Sequence, residues 1–232
     1  MSLETMARRT VASLPPGIRW RTRNAVALVR WLRLRGAADT AYGEDFWALH
    51  DSGDWDGFAA TIGRFCTPAS IVDVGCGDAK LLAAMRRRQA LLPMLGIDSS
   101  RTALDRAAAA GVPVLCHDIA SMRAANLDTL RARVSPFDVA VSLETAEHLP
   151  PWAARRFVET LARVRLVVFS AAHPGQGGTL HLNERPHAYW RARFATLGYR
   201  LSASDEAFRA AIAALDLPSW YRANVHLYER GA

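Results

Sequence analysis

The sequence predicts an α/β fold, a doubly wound parallel sheet with helices on both faces. From residue 69 onward, short β-branched runs alternate with longer stretches rich in Ala, Arg and Leu, a pattern typical of parallel strands joined by crossover helices. The 232 residues are 50% hydrophobic and 22% charged, which is enough apolar material for a sizeable core. We therefore expect an N-terminal helical segment at 1–68, acting as a cap and basic arm, and a sheet domain at 69–232.

The elements of this sheet can be placed in chain order. Strands are predicted at 70–74, 93–97, 112–117, 138–143 and 165–170, with helices at 80–90, 100–110, 122–134 and 151–164. Ser100 and Gly111 are suitable cap residues for the helix between them. After a loop at 171–186, we expect helices near 187–197 and 206–215, and the segment 220–230 alternates like a half-buried antiparallel strand.

Several classes of protein are disfavoured by composition. No apolar run approaches the roughly 20 residues of a membrane-spanning helix, and the N-terminus has no apolar core of a secretory signal. Three cysteines, Cys66, Cys76 and Cys116, do not indicate a disulfide framework. We therefore expect a cytoplasmic protein without a membrane span, and the sequence leaves its oligomeric state open.

The net charge of +7 is concentrated at one end of the chain. Residues 1–36 contain eight arginines and one acid, Glu4, whereas the rest of the chain carries 21 basic and 21 acidic residues. Residues 19–36 read as a helix with an arginine-rich face, which could contact phosphate or an anionic surface, or pack on the body with that face in solvent. We favour packing, and the neutral body gives no signal for nucleic acid.

A glycine turn follows the first predicted strand in the sequence DVGCGDA. Gly75 and Gly77 allow a sharp turn and a close approach of backbone to a ligand, at the N-terminus of the next helix. Asp98 ends the second strand, where an acid can accept hydrogen bonds from ribose hydroxyls, and Asp118 with Ile119 ends the third. Polar groups at three strand ends predict a nucleoside pocket at the carboxyl edge of the sheet.

These motifs together resemble the class I S-adenosylmethionine-dependent methyltransferases over about residues 40–229. DVGCGDA looks like their first motif, GID their acidic second strand, HDI their third motif and FDVAVSLETAEHLP their fourth strand and its loop. The resemblance implies a Rossmann-like sheet of seven strands, the last one antiparallel, and S-adenosyl-L-methionine as cofactor. It implies cofactor contacts from Asp73, Gly75, Cys76, Gly77, Asp98, Ser99, Asp118, Ile119 and Leu143.

Two departures from related patterns matter here. Lys80 stands where the dinucleotide fingerprint G-x-G-x-x-G requires its last glycine, which disfavours NAD as the cofactor. Ala79 stands where many class I members carry a third glycine, so the sequence leaves the backbone path of the turn undetermined.

Candidate catalytic residues follow the fourth strand. Glu144, Glu147 and His148 fall at i, i+3 and i+4 and would share one face if residues 142–149 turned helically. A histidine near its unperturbed pKa of ~6.5 is suited to general-base catalysis, so His148 is the preferred base. The alternative is that Glu147 and His148 only brace the loop. His181 joins them from the polar, glycine-rich loop at 171–186, which we interpret as the substrate loop.

The string E-x-x-E-H with a later histidine, His181, also resembles the ligand set of the small-RNA 2′-O-methyltransferases. That resemblance implies a divalent ion that binds the acceptor hydroxyls. The interval before His181 is shorter than in those enzymes, so a metal is possible but not favoured. Of the other histidines, we assign His117, His187 and His226 to structure, and His50 to structure in preference to a substrate contact.

The sequence thus predicts methyl transfer to an oxygen or nitrogen of a small-molecule acceptor, such as a natural product, sugar or related metabolite. The neutral body and the polar loop favour that class over nucleic acid. The alternatives are an RNA 2′-O-methyltransferase that uses the Glu/His cluster, and a non-catalytic partner that retains the cofactor pocket. The acceptor, metal dependence and the role of the arginine-rich helix stay open at this point.

Overall fold

A computed structural model of the protein describes residues 52–120, 124–178 and 180–231, together with Val29, which is helical and half exposed. The rest of the predicted helix at 19–36 lies outside the described residues, as do His50, Tyr42, Phe46 and Trp47. The boundary at 68/69 stays a prediction. The described end of the N-terminal segment is a helix whose Phe58 and Ile62 are fully buried in the core of the sheet domain.

Eight helices and seven strands follow one another over the described residues. The helices are α1 Trp55–Cys66, α2 Lys80–Arg88, α3 Arg101–Ala109, α4 Ala124–Val134, α5 Ala154–Leu161, α6 His187–Ala195, α7 Asp205–Ala213 and α8 Ser219–Asn224. The strands are β1 Ile71–Val74, β2 Met94–Asp98, β3 Val114–Cys116, β4 Val139–Ser142, β5 Leu166–Phe169, β6 Tyr199–Leu201 and β7 His226–Arg230.

The seven strands form a single sheet in the order β3-β2-β1-β4-β5-β7-β6. The first five strands are parallel, and β7 runs antiparallel to both β5 and β6. The order reverses between β1 and β4, which is where open α/β sheets bind their ligands. The fold predicted from sequence, a Rossmann-like doubly wound sheet of seven strands ending antiparallel, is confirmed.

Alternating side chains of the strands feed two cores, one on each face of the sheet. Ile71, Val139 and Val168 pack with the helices α1, α2 and α7, whereas Val72, Ala140 and Val167 pack with α4, α5 and α6. The parallel strands β1, β4 and β5 are buried along their whole length, as expected of strands covered on both faces. This rigid double core fixes the positions of the loops at the carboxyl edge.

The last predicted strand needs a correction. Within 220–230, only His226–Arg230 is a strand, because residues from Ser219 to Asn224 form the helix α8. Pro218 occupies the cap position before this helix, and because it has no N–H it cannot donate to a strand ladder there. The correction moves Tyr221 and Asn224 from a sheet edge to a helix that faces the loops after β4 and β5.

None of the helices among the described residues combines the length and the apolar character that a membrane crossing requires.

Candidate functional site

The turn after β1 has the backbone that its glycines predict. Gly75 and Gly77 adopt φ values of 83° and 54°, in the left-handed region. A side chain at Gly75 would overlap the Thr145 side chain, whose hydroxyl donates to the Gly75 carbonyl at 3.3 Å. Ala79 also lies in the left-handed region, at φ 56°, so it takes the backbone path of a third glycine despite its Cβ. The turn is thereby locked against the loop after β4.

Asp98 joins this turn to the start of the next helix. Its carboxylate accepts a hydrogen bond from the Gly77 N–H at 2.9 Å and another from the Ser100 N–H at 2.9 Å. Burial raises the pKa of Asp98, and the hydrogen bonds from Ser100 and Gly77 oppose that effect. The carboxylate therefore holds the ends of β1 and β2 together at the edge where a ribose was predicted to bind.

Asp73 is a buried acid next to the turn. It is 4% exposed, and its Oδ1 has no hydrogen-bond partner among the described residues. Burial, together with the nearby charge of Asp98, raises the pKa of Asp73 to about 8. A buried carboxyl oxygen without a partner is costly to the fold, and this one lies at the edge where the cofactor is predicted to bind.

The other predicted cofactor residues lie around the same edge. Asp118 follows β3 and accepts a hydrogen bond from the Ala120 N–H at 3.1 Å, and Ile119 packs on the core beside it. Ser99 is exposed at the end of β2. Leu143, after β4, is partly buried against the core on the other face of the sheet from Ile119. The Cys76 side chain points inward, since a Cβ at Gly96 would lie 2.8 Å from its sulfur. The cofactor role of each residue stays a prediction.

Ser142 ends β4 and the residues up to 149 form bends and turns, so the helical face proposed for 142–149 does not form. Glu144 has φ 47°, in the left-handed region, and its N–H donates to the Ser170 hydroxyl at 3.0 Å. The His148 N–H donates to the Thr145 carbonyl at 3.1 Å, a turn contact three residues apart. A left-handed non-glycine residue costs about 1–3 kcal/mol and persists where its surroundings fix it, often at functional sites.

Even so, the structure gathers three of the four predicted catalytic residues. Ligand atoms of Glu147, His148 and His181 all lie within 4.8 Å of one another. Glu147 is fully buried, and neither of its carboxylate oxygens makes a hydrogen bond of standard geometry to another described residue. Burial, followed by the charge of Glu144, raises the pKa of Glu147 well above its ordinary value. The cluster is therefore a buried acid with two imidazoles at its side.

The loop after β5 brings His181 to this cluster. The Leu182 and Asn183 N–H groups donate to the Glu147 carbonyl at 2.7 and 2.8 Å, which fastens the loop beside β4. Nδ1 of His181 lies 3.1 Å from Glu184, so the carboxylate orients the imidazole and directs Nε2 away from it. Burial alone would raise the pKa of Glu184, but hydrogen bonds from Gly175, His181 and Gly177 lower it overall.

Two site residues, Tyr221 and Asn224, were missed by the sequence analysis because both lie on α8. Burial raises the pKa of Tyr221, and the carboxylates of Glu144 and Asp73 add to that effect, so its hydroxyl is near both acids. Nδ2 of Asn224 donates to the two Glu144 oxygens at 3.1 and 3.2 Å. The proline before Ser219 is the signal that would have found them.

A family profile described as a methyltransferase domain matches residues 52–209, more than half of the sequence. No curated protein matches the sequence significantly.

Solved structures share the fold at low sequence identity. The sugar N-methyltransferase KedS8 from Streptoalloteichus is 14% identical, with a TM-score of 0.58 over 82% of this chain and 93% of its own. The CcbJ methyltransferase from Streptomyces caelestis is 13% identical, with a TM-score of 0.56 over 84% and 99%. The methyltransferase domain of bacterial CtHen1-C is 18% identical, with a TM-score of 0.54 over 76% and 97%. At these identities the likeness shows the fold alone.

Proposed function

The chain belongs to the methyltransferase-domain family and is an S-adenosylmethionine-dependent methyltransferase, and we propose that it methylates an oxygen or nitrogen of a small-molecule acceptor. The acceptor is a sugar, natural product or related metabolite. The observation that carries the proposal is the cluster of buried Glu147 with half-buried His148 and His181, on the loops after β4 and β5. The expected cytoplasmic location stays a prediction.

The carboxyl edge of β1 and β2 fits the cofactor. Asp73 offers a buried carboxyl oxygen without a partner, and the left-handed turn at Gly75 and Gly77 leaves the backbone open to close approach. Asp98 ends β2 and Ser99 follows it, and we assign this pair to the ribose. Asp118 and Ile119 follow β3, and we assign them to the adenine. When bound, S-adenosyl-L-methionine supplies an electrophilic methyl carbon on a sulfonium.

The residues of this chain then have to align the acceptor and accept its proton. In the transfer, the acceptor forms a bond to the methyl carbon, the carbon–sulfur bond breaks, and the acceptor loses a proton. His148 is the proposed base, because it stands at the cluster next to the loop that would cover an acceptor. Glu147 lies beside this imidazole, and Glu144 and Tyr221 border the acceptor space.

Small molecules are favoured as acceptors over nucleic acid for two reasons. The chain outside residues 1–36 has equal numbers of basic and acidic residues, so the body offers no electrostatic footprint for a phosphate backbone. One structural neighbour with the same fold is a sugar N-methyltransferase, which is consistent with such an acceptor.

The acceptor class can be tested by turnover at two salt concentrations. We expect methyl-labelled donor to label a metabolite, with a rate that changes less than about threefold between about 50 and 200 mM salt. An enzyme that binds RNA through several phosphates would lose about 10³-fold in affinity over that range. Labelling of RNA with such a salt dependence would overturn the small-molecule proposal.

One observation favours a metal-assisted form of the same reaction. The donor set combines a fully buried carboxylate with two imidazoles, one of them oriented by Glu184, and such a set suits a first-row divalent ion. Glu147, His148 and His181 would hold the ion, which would lower the pKa of an acceptor hydroxyl. In this form His148 is a ligand and does not act as the base.

Metal binding and turnover separate the two forms. In the metal-assisted form, the full chain binds one Mn²⁺ in a calorimetric titration and loses about 100-fold in turnover in chelator, with recovery on adding the ion. In that form the His181→Ala variant binds no Mn²⁺. Full activity in chelator, with no Mn²⁺ bound by the native chain, would exclude the ion and leave His148 as the base.

A further inference from the structure

A network of polar side chains, most of them buried, lies behind the candidate site. Hydrogen bonds join Asp205 on α7 to His226 on β7 and His226 to His187 on α6, and Asn224 on α8 lies next to His187. Oδ2 of Asp205 is 3.0 Å from Nδ1 of His226, and Nε2 of His226 is 3.2 Å from Nδ1 of His187. Asp205, His226 and Asn224 are at most 9% exposed. Buried polar groups in such a network specify an arrangement of protons as well as of atoms.

The Asn224 end of this network reaches Glu144 and the loop after β5. The Asn224 carboxamide donates to both Glu144 oxygens and, at 2.9 Å, to Oε1 of Gln176. Nε2 of Gln176 donates in turn to Glu144 at 2.9 Å. We call Glu144, Gln176 and Asn224 the Glu144 clamp. Gln176 and Asn224 hold the carboxylate of Glu144, whose backbone is left-handed, and Gln176 ties the loop after β5 to it.

Asp205 fixes the opposite end of the network. Its Oδ1 accepts the Leu227 N–H at 2.7 Å, so Oδ2 is directed at His226 and requires an N–H there. Nδ1 of His226 must therefore carry a proton while Asp205 is ionised.

His187 determines in which direction the hydrogen bonds of this network run, because it is neutral and carries a single N–H. Burial, then His173 and His226, lower the pKa of His187 to about 4, although a hydrogen bond with the Asn224 side chain opposes them. Nε2 of His187 and Oδ1 of Asn224 are both buried, and neither makes a hydrogen bond of standard geometry to any described residue. Both are satisfied when the N–H is on Nε2 and donates to Asn224. Nδ1 of His187 must then accept from Nε2 of His226.

All of these requirements are met together in only one protonation state. His226 must carry a proton on both nitrogens, as an imidazolium paired with the Asp205 carboxylate. We propose that Asp205, His226 and His187 are positioning residues, and that protonated His226 orients Asn224 and, through it, the Glu144 clamp for turnover. The functional part of this inference rests on the proposed methyl transfer.

Deprotonation of His226 should release the clamp. The remaining N–H of His226 stays on Nδ1, facing Asp205, so Nε2 becomes an acceptor and draws the His187 N–H to Nδ1. Nε2 of His187 and Oδ1 of Asn224 then present lone pairs to each other, which is unfavourable in a buried site. The other titratable or charged groups near this pair are Arg209 on α7, His173 in the loop after β5 and Tyr228 on β7.

The variant Asp205→Asn tests this inference because it removes the need for a second proton on His226. Its carboxamide oxygen can accept from Leu227 while its NH₂ donates to Nδ1 of a neutral His226, which keeps the N–H on Nε2. We expect the ratio of native to Asp205→Asn kcat to fall about tenfold between about pH 6 and about pH 9, since both proteins share the titration of the base. Glu229→Gln, which breaks a partly exposed ion pair on β7, is the matched control and should follow the native pH profile. A ratio that stays constant with pH would overturn the relay.

Nitrogen-15 spectra of the imidazoles decide the relay without any substrate. At about pH 6 we expect His226 doubly protonated and His187 protonated on Nε2 only, and in Asp205→Asn we expect both rings neutral and protonated on Nε2. His187 protonated on Nδ1 in the native chain at that pH would contradict the inference. Absence of turnover with the expected spectra would count against the proposed function and against a role of the relay in turnover, but not against the relay's hydrogen bonding.

Discussion

Replacing Glu147 with glutamine is expected to lower kcat by about 10³-fold and to raise the free energy of unfolding of the metal-free protein by about 1–2 kcal/mol. The carboxyl is fully buried without a standard hydrogen bond, and the charge of Glu144 opposes its ionisation. A neutral amide removes that penalty, yet it cannot ionise, so it can neither pair with an imidazolium formed at His148 nor bind an ion with full strength.

Steady-state kinetics and urea unfolding at about pH 8 measure the two effects. The raised pKa of Glu147 means that the folded chain keeps a proton the unfolded chain has lost, so native stability falls as pH rises above the ordinary value near 4.5. Glu159→Gln, a change in a surface ion pair with Arg155 and Arg131, should leave kcat unchanged. A variant at Glu147 with native kcat would remove the cluster from the mechanism.

The second large effect is expected at the cofactor. Asp73→Asn should weaken S-adenosylmethionine binding by about 100-fold, since a buried carboxylate next to a cationic ligand makes a strong charge-assisted contact. Because the pKa of Asp73 is about 8 in the free protein, ionisation on binding should release a proton, and native affinity should increase as pH rises toward 8. In Asp73→Asn, the affinity for S-adenosylmethionine should lack this increase with pH.

Calorimetry in buffers of different ionisation enthalpy measures both the affinity and the released proton. The same variant should unfold with a higher free energy than the native chain, by an amount that grows from about pH 5 to about pH 8. The native fold binds a proton at Asp73 over that interval, whereas the unfolded chain, with an ordinary pKa near 3.8, does not. Asp105→Asn, an exposed acid on α3, is the control and should change neither quantity. Unaltered affinity in Asp73→Asn would remove Asp73 from the cofactor site.

The parallel part of the sheet was predictable because its strands are buried on both faces. Runs such as Ile71–Val74 and Leu166–Phe169 are continuous apolar segments, and each lies within one residue of its predicted bounds. The glycine turn was equally predictable, since the left-handed φ of Gly75 is a requirement that few other residues meet. These features depend on local sequence and on burial.

The rest of the site depends on contacts that local patterns do not encode. The segment with Tyr221 and Asn224 alternates in hydrophobicity, which predicted a strand, but a helix begins directly after Pro218 and its end packs against Glu144. The partners Asp205, His187 and His226 come from α7, α6 and β7, and nothing in the sequence indicates that three elements converge on one hydrogen-bond chain. His187 and His226 were assigned to structure for that reason.

A crystal structure of the full chain with S-adenosylhomocysteine tests the central claim most directly. We expect the adenosine at the carboxyl ends of β1, β2 and β3, with its ribose hydroxyls near Asp98, its adenine near Asp118 and Ile119, and its amino acid portion toward Asp73 and the glycine turn. Ligand density at any other place, or that edge filled by side chains in crystals saturated with the compound, would contradict it.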